Sequence, residues 1–337
     1  MEIFENYDLS KLNTFGIQAK AKFFTAIGSE EDLKELFYAP EFRENKKIFL
    51  GGGSNILFTH DFDGIVVLNK LAGIEISKQD EGSVLVRARG GEIWHNLVTF
   101  ALERGFWGIE NLSSIPGSVG AAPVQNIGAY GTDIGSVLYE VEAFDIETGE
   151  KKFFRPENYG GGYRESIFKN EFKGKYFITS VTLSLSKIPK PNLRYRSLRE
   201  YVEKNKIDVN NPLEIGKAVS EIRKEKLPDP RIINNAGSFF KNVIVDEKKL
   251  QELLKIYPNM PHFTDDFGVK IPSGWLIEQC GWKGKRFGDA GVYENHALVL
   301  VNHGEATGND IKKLAEEIID SIYVKFGFKL VPEVNIV

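Results

Sequence analysis

An uncharged stretch of seventeen residues, 115–131, restricts more than any other feature what this chain can fold into. It contains four glycines, three alanines and two prolines, and Gln125 and Asn126 supply amide donors and acceptors. Small residues at this density let the backbone lie against a flat ligand. Long loops are uncommon in compact domains unless they are functional, and their backbone groups need partners. The stretch therefore predicts a ligand-binding loop, with a crowded crossing of the core as the alternative.

A second glycine-rich loop, residues 51–55, directly follows a predicted buried strand at 48–50. Its three consecutive glycines permit positive φ angles, so that successive N–H groups can point at a phosphate. The Rossmann fingerprint is excluded because Ile56 stands where the last glycine belongs, and no Gly-Lys-Ser/Thr completes a P-loop. The loop predicts a phosphate cradle of another kind, or a tight turn between strands.

Arg164 lies between a glycine run, residues 160–162, and the apolar pair Ile167 and Phe168. A guanidinium group in this setting could bind a carboxylate or phosphate through two parallel hydrogen bonds. Taken alone, residue 164 favours the alternative, a solvated arginine paired with Glu165.

Two more polar groups stand in apolar surroundings. Ser238 lies between Gly237 and two phenylalanines, which suits a buried proton donor or nucleophile, or else a turn serine. No G-x-S-x-G elbow surrounds it, so a hydrolase triad has little support. Glu333 stands in a predicted final strand, 329–337, where it either serves a site or forms a salt bridge on an edge strand.

The composition excludes several classes of function. A net charge of -4 leaves no excess of basic side chains for nucleic acid. No apolar run reaches the length of about 18 residues that a membrane span needs, and the first residues do not resemble a secretory signal. The one cysteine, Cys280, cannot form an internal disulfide, and the five histidines show no metal-ligand spacing. We expect a cytoplasmic protein without metal, membrane or nucleic-acid partners.

Capping signals and hydrophobic periodicity predict a mixture of helices and strands. Ser29 is a predicted N-cap with a carboxylate three residues on, and Asn211 is a predicted N-cap before a proline. Helices are predicted at 92–103, 246–257 and 310–326, strands at 65–68, 84–88 and 176–185, and a hairpin turn at 147–149.

The motifs follow one another in an order that closely resembles the UDP-N-acetylenolpyruvoylglucosamine reductase family, flavin enzymes of bacterial peptidoglycan precursor synthesis. The resemblance extends from about residue 9 to the C-terminus, and Tyr195 indicates the longer type, whose tyrosine-bearing loop closes over substrate. The matching segments are 13–17, 51–55, 115–131, 162–169, 226–230, 236–242, 274–280 and 332–334.

The resemblance implies an α+β fold, with a two-part FAD-binding region of the vanillyl-alcohol-oxidase type and a C-terminal α+β substrate-binding domain. The implied bounds are 1–68 and 69–227 for the FAD-binding subdomains and 228–337 for the substrate-binding domain. The strand near 330–337 is a candidate to return to the first subdomain. A monomer is expected.

The resemblance also implies a reaction and its catalytic residues. NADPH reduces the bound FAD and leaves, and the enolpyruvyl ether of UDP-N-acetylglucosamine enolpyruvate is then reduced to UDP-N-acetylmuramate. Ser238 matches the serine that protonates the enol carbon, while Arg164 and Glu333 match the pair that stabilises the enol. Matching substrate-binding residues are Tyr195, Lys226, Asn242 and His296. Matching cofactor-binding residues are Gly51, Gly52, Gly53, Ser54, Asn55, Pro116, Gly117, Ser118, Gly120, Ala121, Gln125, Asn126, Gly128, Ala129, Tyr130 and Gly131.

Three positions depart from the family pattern. Val243 stands where proline is common, Asn335 where many relatives carry arginine, and His296 where some carry glutamine. None of the three removes a catalytic group. Two other functions stay open: another oxidoreductase or oxidase of the same FAD superfamily with a different substrate, and an inert nucleotide-sugar binding protein.

Overall fold

The computed structural model describes residues 1–160, 162–265 and 268–337. The chain divides into two compact units, each assembled from three separate stretches. The first unit comprises Met1–Tyr7, Ala21–Gly52 and Asp63–Glu225; the second comprises Asp8–Lys20, Gly53–Phe62 and Lys226–Val337. The three-part division expected from the sequence stays a prediction.

The strands are short and numerous. They are β1 (Phe4–Asp8), β2 (Lys20–Ile27), β3 (Lys46–Leu50), β4 (Ile56–Leu57), β5 (Phe62–Asn69), β6 (Ile74–Gln79), β7 (Ser83–Arg89), β8 (Gly128–Ala129), β9 (Thr132–Asp133), β10 (Leu138–Asp145), β11 (Lys151–Phe154), β12 (Tyr176–Ser186), β13 (Asn234–Ser238), β14 (Val243–Val245), β15 (Phe263–Asp265), β16 (Gly268–Ile271), β17 (Arg286–Phe287), β18 (Ala290–Val292), β19 (Val299–Asn302) and β20 (Asn335–Ile336).

The helices follow the same chain order. They are α1 (Glu30–Leu36), α2 (Pro40–Arg43), α3 (Trp94–Leu102), α4 (Ala121–Gln125), α5 (Pro156–Tyr159), α6 (Arg196–Asn205), α7 (Pro212–Lys226), α8 (Glu247–Ile256), α9 (Ser273–Gln279) and α10 (Gly308–Phe326).

Side-chain caps fix where several helices begin. The Ser29 hydroxyl accepts from the Asp32 N–H at 3.1 Å, and the Asp32 carboxylate accepts from the Ser29 N–H at 3.0 Å, which confirms the predicted capping box of α1. The Asn211 side chain accepts from the Leu213 N–H at 3.0 Å at the start of α7. Each cap satisfies an N–H group that the helix itself cannot pair.

The first unit is built on two sheets. One has the order β1-β2-β5-β3, with β3 and β5 parallel, and the other is antiparallel with the order β11-β10-β12-β7-β6. β12 lies at the centre of the second sheet, and almost all of its residues are buried. The predicted alternation therefore marks a strand correctly but does not separate a core face from a solvent face.

Among the described residues, apolar clusters form the core of the first unit. The largest packs α3 against the five-stranded sheet around Trp94 and Val181. A second packs α1 against β5 around Leu33 and Val67. A third packs α6 and α7 around Trp107. Burial of these side chains from water supplies the main favourable term in folding.

In the second unit, β13 pairs with β19 in a sheet of order β13-β19-β18-β17, and β14, β16 and β15 form another. α10 begins at a capping box between Thr307 and Asp310 and ends at Gly327, whose φ of 75° suits a glycine C-cap. The last strand is much shorter than predicted. Only Asn335–Ile336 is strand, and it pairs in parallel with β4.

Candidate active site

The two glycine-rich loops meet in the first unit. A Cβ on Gly52 would lie 2.8 Å from the Cα of Gly117, and one on Gly51 would collide with the Ser118 hydroxyl. Gly120 is also closely packed, and its N–H donates to the Gly90 carbonyl at 2.7 Å. Side chains at Gly51 and Gly52 would therefore push the loops apart.

The segment around Arg164, residues 160–169, is hydrogen-bonded to helix α4 and to the turn that follows it. Asn126, in a left-handed conformation with φ of 41°, donates from its side chain to the Gly162 carbonyl at 2.8 Å. The Ser166 hydroxyl donates to the Val124 carbonyl at 2.8 Å. Lys169 donates to the Gln125 side chain at 3.2 Å. The glycine-rich loop 115–131 and the segment around Arg164 thus form one structural element. Gly161 lies outside the described residues.

Arg164 is half-buried within this element, and its guanidinium group is held by backbone carbonyls. Nη2 donates to the Gly128 carbonyl at 2.6 Å and Nη1 to the Asn126 carbonyl at 3.3 Å. Its own φ is 56°, which is uncommon for a residue with a side chain. An arginine fixed in this way presents its charge in one direction. The alternative of a solvated arginine does not fit these contacts.

A second guanidinium group, that of Arg223 on α7, lies in the same neighbourhood. Burial lowers the pKa of Arg223, the Tyr130 phenol opposes this, and the charge of Arg164 lowers the pKa further. Arg223 is anchored by a bond of 3.3 Å from Nε to the Ser114 carbonyl. Two half-buried cations close to one another favour an anionic or electron-rich ligand beside them. No motif in the sequence singles out Arg223.

The tyrosine expected to contact substrate packs on the glycine-rich loop of residues 115–131. The rings of Tyr195 and Tyr130 meet edge to face, with their centres 5.1 Å apart. Partial burial raises the pKa of both phenols, so each keeps its proton at neutral pH. A protonated phenol can donate a hydrogen bond to a phosphate or sugar oxygen.

In the second unit, the segment that follows Ser238 runs alongside the segment that contains Glu333. The Glu333 N–H donates to the carbonyl of Phe239, the residue after Ser238, at 2.8 Å. The Lys241 N–H donates to the Val331 carbonyl at 3.0 Å, and Phe240 and Pro332 form an isolated antiparallel β-bridge. Two motifs that are far apart in sequence therefore run side by side.

Asn55, the last residue of the glycine-rich loop 51–55, belongs to this second unit and touches the same segment. Its side chain donates to the Glu333 carbonyl at 3.2 Å. Its own carbonyl accepts from the Asn335 N–H at 3.1 Å and from the Asn335 side chain at 3.0 Å. The backbone of Glu333 is thus fixed on both sides, by Asn55 and by Phe239.

Three residues expected to contact substrate also lie in the second unit. Asn242 accepts from the Ser273 N–H at 3.1 Å, which fixes its side-chain carbonyl. His296 is half-buried, and its Nδ1 has no hydrogen-bond partner among the described residues. Burial lowers the pKa of His296, and the positive charge of Lys226 lowers it further. His296 is therefore a neutral imidazole near a lysine ammonium group at neutral pH.

The residues around the glycine-rich loops fit a flavin nucleotide. Two buried polar atoms, Ser118 Oγ and Asn126 Oδ1, lack hydrogen-bond partners in the described part of the chain. Buried polar atoms normally have partners, and a diphosphate and a flavin ring offer both acceptors and donors. Gly51 and Gly52 lie directly against residues 117 and 118, so the two loops can border one ligand.

Comparison with known proteins identifies both parts of the chain. Residues 21–152 match the model of an FAD binding domain, and residues 229–337 match that of the UDP-N-acetylenolpyruvoylglucosamine reductase C-terminal domain. A UDP-N-acetylenolpyruvoylglucosamine reductase from Flavobacterium johnsoniae is 46% identical over 100% of both chains. One from Amoebophilus asiaticus is 45% identical, also over 100% of both.

The chain belongs to the UDP-N-acetylenolpyruvoylglucosamine reductase family. Among solved structures, the Thermus caldophilus UDP-N-acetylenolpyruvylglucosamine reductase matches with a TM-score of 0.67 and 25% identity, covering 99% of this chain and 98% of that one. A solvent-stable cholesterol oxidase, 12% identical with a TM-score of 0.53 over 98% of this chain and 86% of that one, shares the fold alone.

Membership confirms the expected family, the FAD cofactor and the α+β fold, with an FAD-binding region and a C-terminal domain. The protein is an FAD-dependent oxidoreductase of this family. Among the described residues, no group of histidine, cysteine or acidic side chains could hold a metal ion, and no helix is long and apolar enough to span a membrane.

Proposed function

We propose that this protein reduces the enolpyruvyl ether of UDP-N-acetylglucosamine enolpyruvate to UDP-N-acetylmuramate, with NADPH as the source of hydride. The observation that carries the proposal is the pairing of the Ser238 and Glu333 segments. The segments that carry the Ser238 hydroxyl and the Glu333 carboxyl group are far apart in sequence, and the hydrogen bond of 2.8 Å between the Glu333 N–H and the Phe239 carbonyl joins their backbones. The relatives from Flavobacterium johnsoniae and Amoebophilus asiaticus are named as reductases of UDP-N-acetylenolpyruvoylglucosamine.

The cofactor is assigned to the two glycine-rich loops. FAD, when bound, supplies a hydride that it has received from NADPH. We assign its diphosphate to residues 51–55, and the flavin side of the cleft to residues 116–131. The unpartnered hydroxyl of Ser118 and the close approach of Gly52 to Gly117 support this assignment.

The chain's own residues handle the charge and the proton of the second half-reaction. As hydride reaches the terminal alkene carbon, negative charge develops on the adjacent enol and its carboxylate. Arg164, which its carbonyl partners hold in place, stabilises that charge without having to move. Ser238 donates its hydroxyl proton to the other alkene carbon, and Glu333 works with Arg164 on the enol.

Serine is a very weak acid in water, so its use as a proton donor requires a site with little water and a strongly basic intermediate. Ser238 meets the first requirement in part, because it is half-buried and precedes the fully buried pair Phe239 and Phe240. Tyr195, Lys226, Asn242 and His296 are assigned to the diphosphate and sugar of the substrate.

Stopped-flow absorbance of the flavin separates the two half-reactions and tests the proposal. Ser238→Ala should reduce its flavin with NADPH at a nearly normal rate, and should reoxidise it with the enolpyruvyl nucleotide sugar about 10²–10⁴ times more slowly. Ser77→Ala, an exposed hydroxyl on β6, is the control. Equal loss in both half-reactions would contradict the role of Ser238.

The wild-type protein distinguishes the proposed substrate from other possibilities. Under anaerobic conditions, reduced flavin should be reoxidised by the enolpyruvyl nucleotide sugar and not by simple alkenes. Reoxidation by another substrate alone would indicate a different oxidoreductase of the same superfamily. A colourless protein that takes up no FAD would indicate an inert binding protein.

A further inference from the structure

We propose that Asn111 and Asn192 act as a carboxamide clamp that positions the Tyr130–Tyr195 pair for substrate binding. The inference rests on the proposed function, since it takes Tyr195 to contact the nucleotide sugar. It adds two positioning residues that no motif of the sequence indicates.

Asn111 is the buried half of the clamp. It lies in the 3-10 turn Glu110–Leu112 and is 0% exposed. Its side-chain nitrogen donates to the Tyr130 carbonyl at 2.9 Å and to the Asn192 carbonyl at 2.9 Å. Both amide hydrogens are thus used to join the end of the glycine-rich loop to the segment that leads into Tyr195.

The other side of the Asn111 amide shows why stability alone does not explain this residue. Its Oδ1 is buried and has no hydrogen-bond partner among the described residues. An unpaired buried carbonyl oxygen costs roughly 1–3 kcal/mol. A leucine would fill the same space without that cost, but it has no pair of donors with which to reach two carbonyls.

Asn192 completes the connection from the opposite segment. Its side-chain nitrogen donates to the Gly131 carbonyl at 2.9 Å and to the Thr132 hydroxyl at 3.1 Å. Its Oδ1 accepts from the Arg194 N–H at 3.2 Å, which fixes the backbone directly before Tyr195. Four hydrogen bonds from two amide groups therefore hold the tyrosine-bearing segment against residues 130–132.

Apolar packing also holds part of this segment, since Leu193 packs against the cluster around Trp107. A cavity of about 420 Å³ lies beside the segment, lined by Trp107, Glu110, Thr132 and residues 190–194 among others. A segment that borders open space makes fewer van der Waals contacts with the rest of the protein. The hydrogen bonds of the clamp therefore add to the apolar contact of Leu193 in restraining the backbone that leads into Tyr195.

The clamp leaves the tyrosine itself available to a ligand. Tyr195 is 45% exposed, while one edge of its ring rests on Tyr130 at a centre-to-centre distance of 5.1 Å. A tyrosine whose supporting backbone is already fixed loses less conformational freedom when its segment closes over substrate. Loosening the segment should therefore weaken substrate binding without changing the chemistry of the bound complex.

Asn192→Ala tests the clamp, with Asn205→Ala as control, because Asn205 makes the same kind of amide-to-carbonyl bond on exposed α6. We expect Asn192→Ala to raise KM for the enolpyruvyl nucleotide sugar on the order of tenfold, given the loss of the three hydrogen bonds that its side chain makes. We expect kcat, FAD content and the rate of flavin reduction by NADPH to stay within about twofold of wild type, as the chemical step keeps its own groups. Asn111→Leu should act in the same direction; if it does not fold, Asn192→Ala decides.

A double-mutant cycle separates positioning from a general loss of structure. In a Tyr195→Ala background, Asn192→Ala should have no further effect on KM, because the group it positions is gone. Additive effects, or a wild-type KM for Asn192→Ala, would overturn the clamp. Failure of the wild-type protein to be reoxidised by the nucleotide sugar would instead overturn the proposed function, so the two failures are distinguishable.

Discussion

The backbone of Gly52 lies against that of Gly117, so that a Cβ on Gly52 would stand 2.8 Å from the Cα of Gly117. Cβ atoms do not approach a backbone carbon so closely, and neither atom belongs to a flexible side chain that could move aside. The contact joins the two loops that the sequence singles out for a flat, phosphate-bearing ligand. The two loops can lie this close only because Gly52 has no Cβ.

Gly52→Ala should therefore impair FAD binding. We expect the purified variant to carry much less flavin than wild type and to need at least about tenfold more FAD for saturation, since the loops must part. The ratio of flavin to protein absorbance measures this. Gly28→Ala is the matched control, because its Cβ would meet only Asp32 at an ordinary 3.7 Å. Flavin content equal to wild type in Gly52→Ala would contradict the cradle.

Arg164→Lys should separate charge from geometry. A lysine keeps the positive charge, but its single ammonium group cannot reproduce the two bonds to the Gly128 and Asn126 carbonyls. We expect flavin reduction by NADPH to be nearly normal and reoxidation by the nucleotide sugar to slow about 10²-fold or more. Arg164→Ala should in addition raise KM.

The control for this experiment is Arg196→Lys, an exposed arginine paired with Glu200 on α6. Surface pairs of this kind contribute little, so both half-reactions should be unaffected. If Arg164→Lys reoxidises as fast as the control, the guanidinium geometry has no role in the reaction.

Local signals explain which parts of the fold the sequence predicts well. The cap at Ser29 and the break at Gly327 depend on nearest neighbours, and both occur in the structure. The final strand was predicted too long because its apolar pattern continues through Pro332 and Glu333. Proline has no N–H to donate, and the Glu333 N–H is used by the Phe239 carbonyl, so regular pairing starts only at Asn335.

The site divides in the same way. The glycine-rich loops and the Ser238 motif can be recognised from the local sequence. The positions of Arg223 and Asn111 are set mainly by packing. Arg223 stands in a charged run that is typical of a solvated helix face. One signal was present: Ile215, Val219 and Arg223 are spaced four apart, which puts the arginine on the apolar face of α7.

Glu110→Gln should stabilise the protein at neutral and alkaline pH. Glu110 is 2% exposed, and burial raises its pKa, although the Gly108 N–H donates to its carboxylate at 2.7 Å. Because the pKa is higher in the folded state, the stability that this group contributes is full below its ordinary value of 4.5 and is lost as pH rises through the folded pKa. Glutamine is uncharged and keeps an acceptor for Gly108.

Thermal unfolding at two pH values measures this. The Tm of Glu110→Gln should exceed that of wild type at pH 8, and the difference should shrink or vanish near pH 4. Glu81→Gln, at an exposed turn, should change Tm little at either pH. A Glu110→Gln variant that is less stable at pH 8 would show that the ionised carboxylate is needed.

His296→Gln should make stability less dependent on acid pH. Burial lowers the pKa of His296, Lys226 and Lys283 lower it further, and Glu278 opposes them. The folded protein therefore resists protonation of this ring, while the unfolded chain takes up a proton near the ordinary value of 6.5. Stability is present above that value and is lost as pH falls below it, toward the folded pKa. Glutamine does not titrate.

We expect wild-type Tm to fall more between pH 7.5 and pH 5.5 than the Tm of His296→Gln, with exposed His60→Gln behaving as wild type.

Substrate affinity should likewise depend more on pH in the wild-type protein than in His296→Gln. If the neutral ring contacts the nucleotide sugar through its unpartnered Nδ1, KM of wild type should be constant through neutral pH and change only once the ring is protonated. KM of His296→Gln should be constant over the whole range. Identical pH profiles for the two proteins would remove His296 from the substrate contacts and leave Lys226 and Asn242 to bind that part of the ligand.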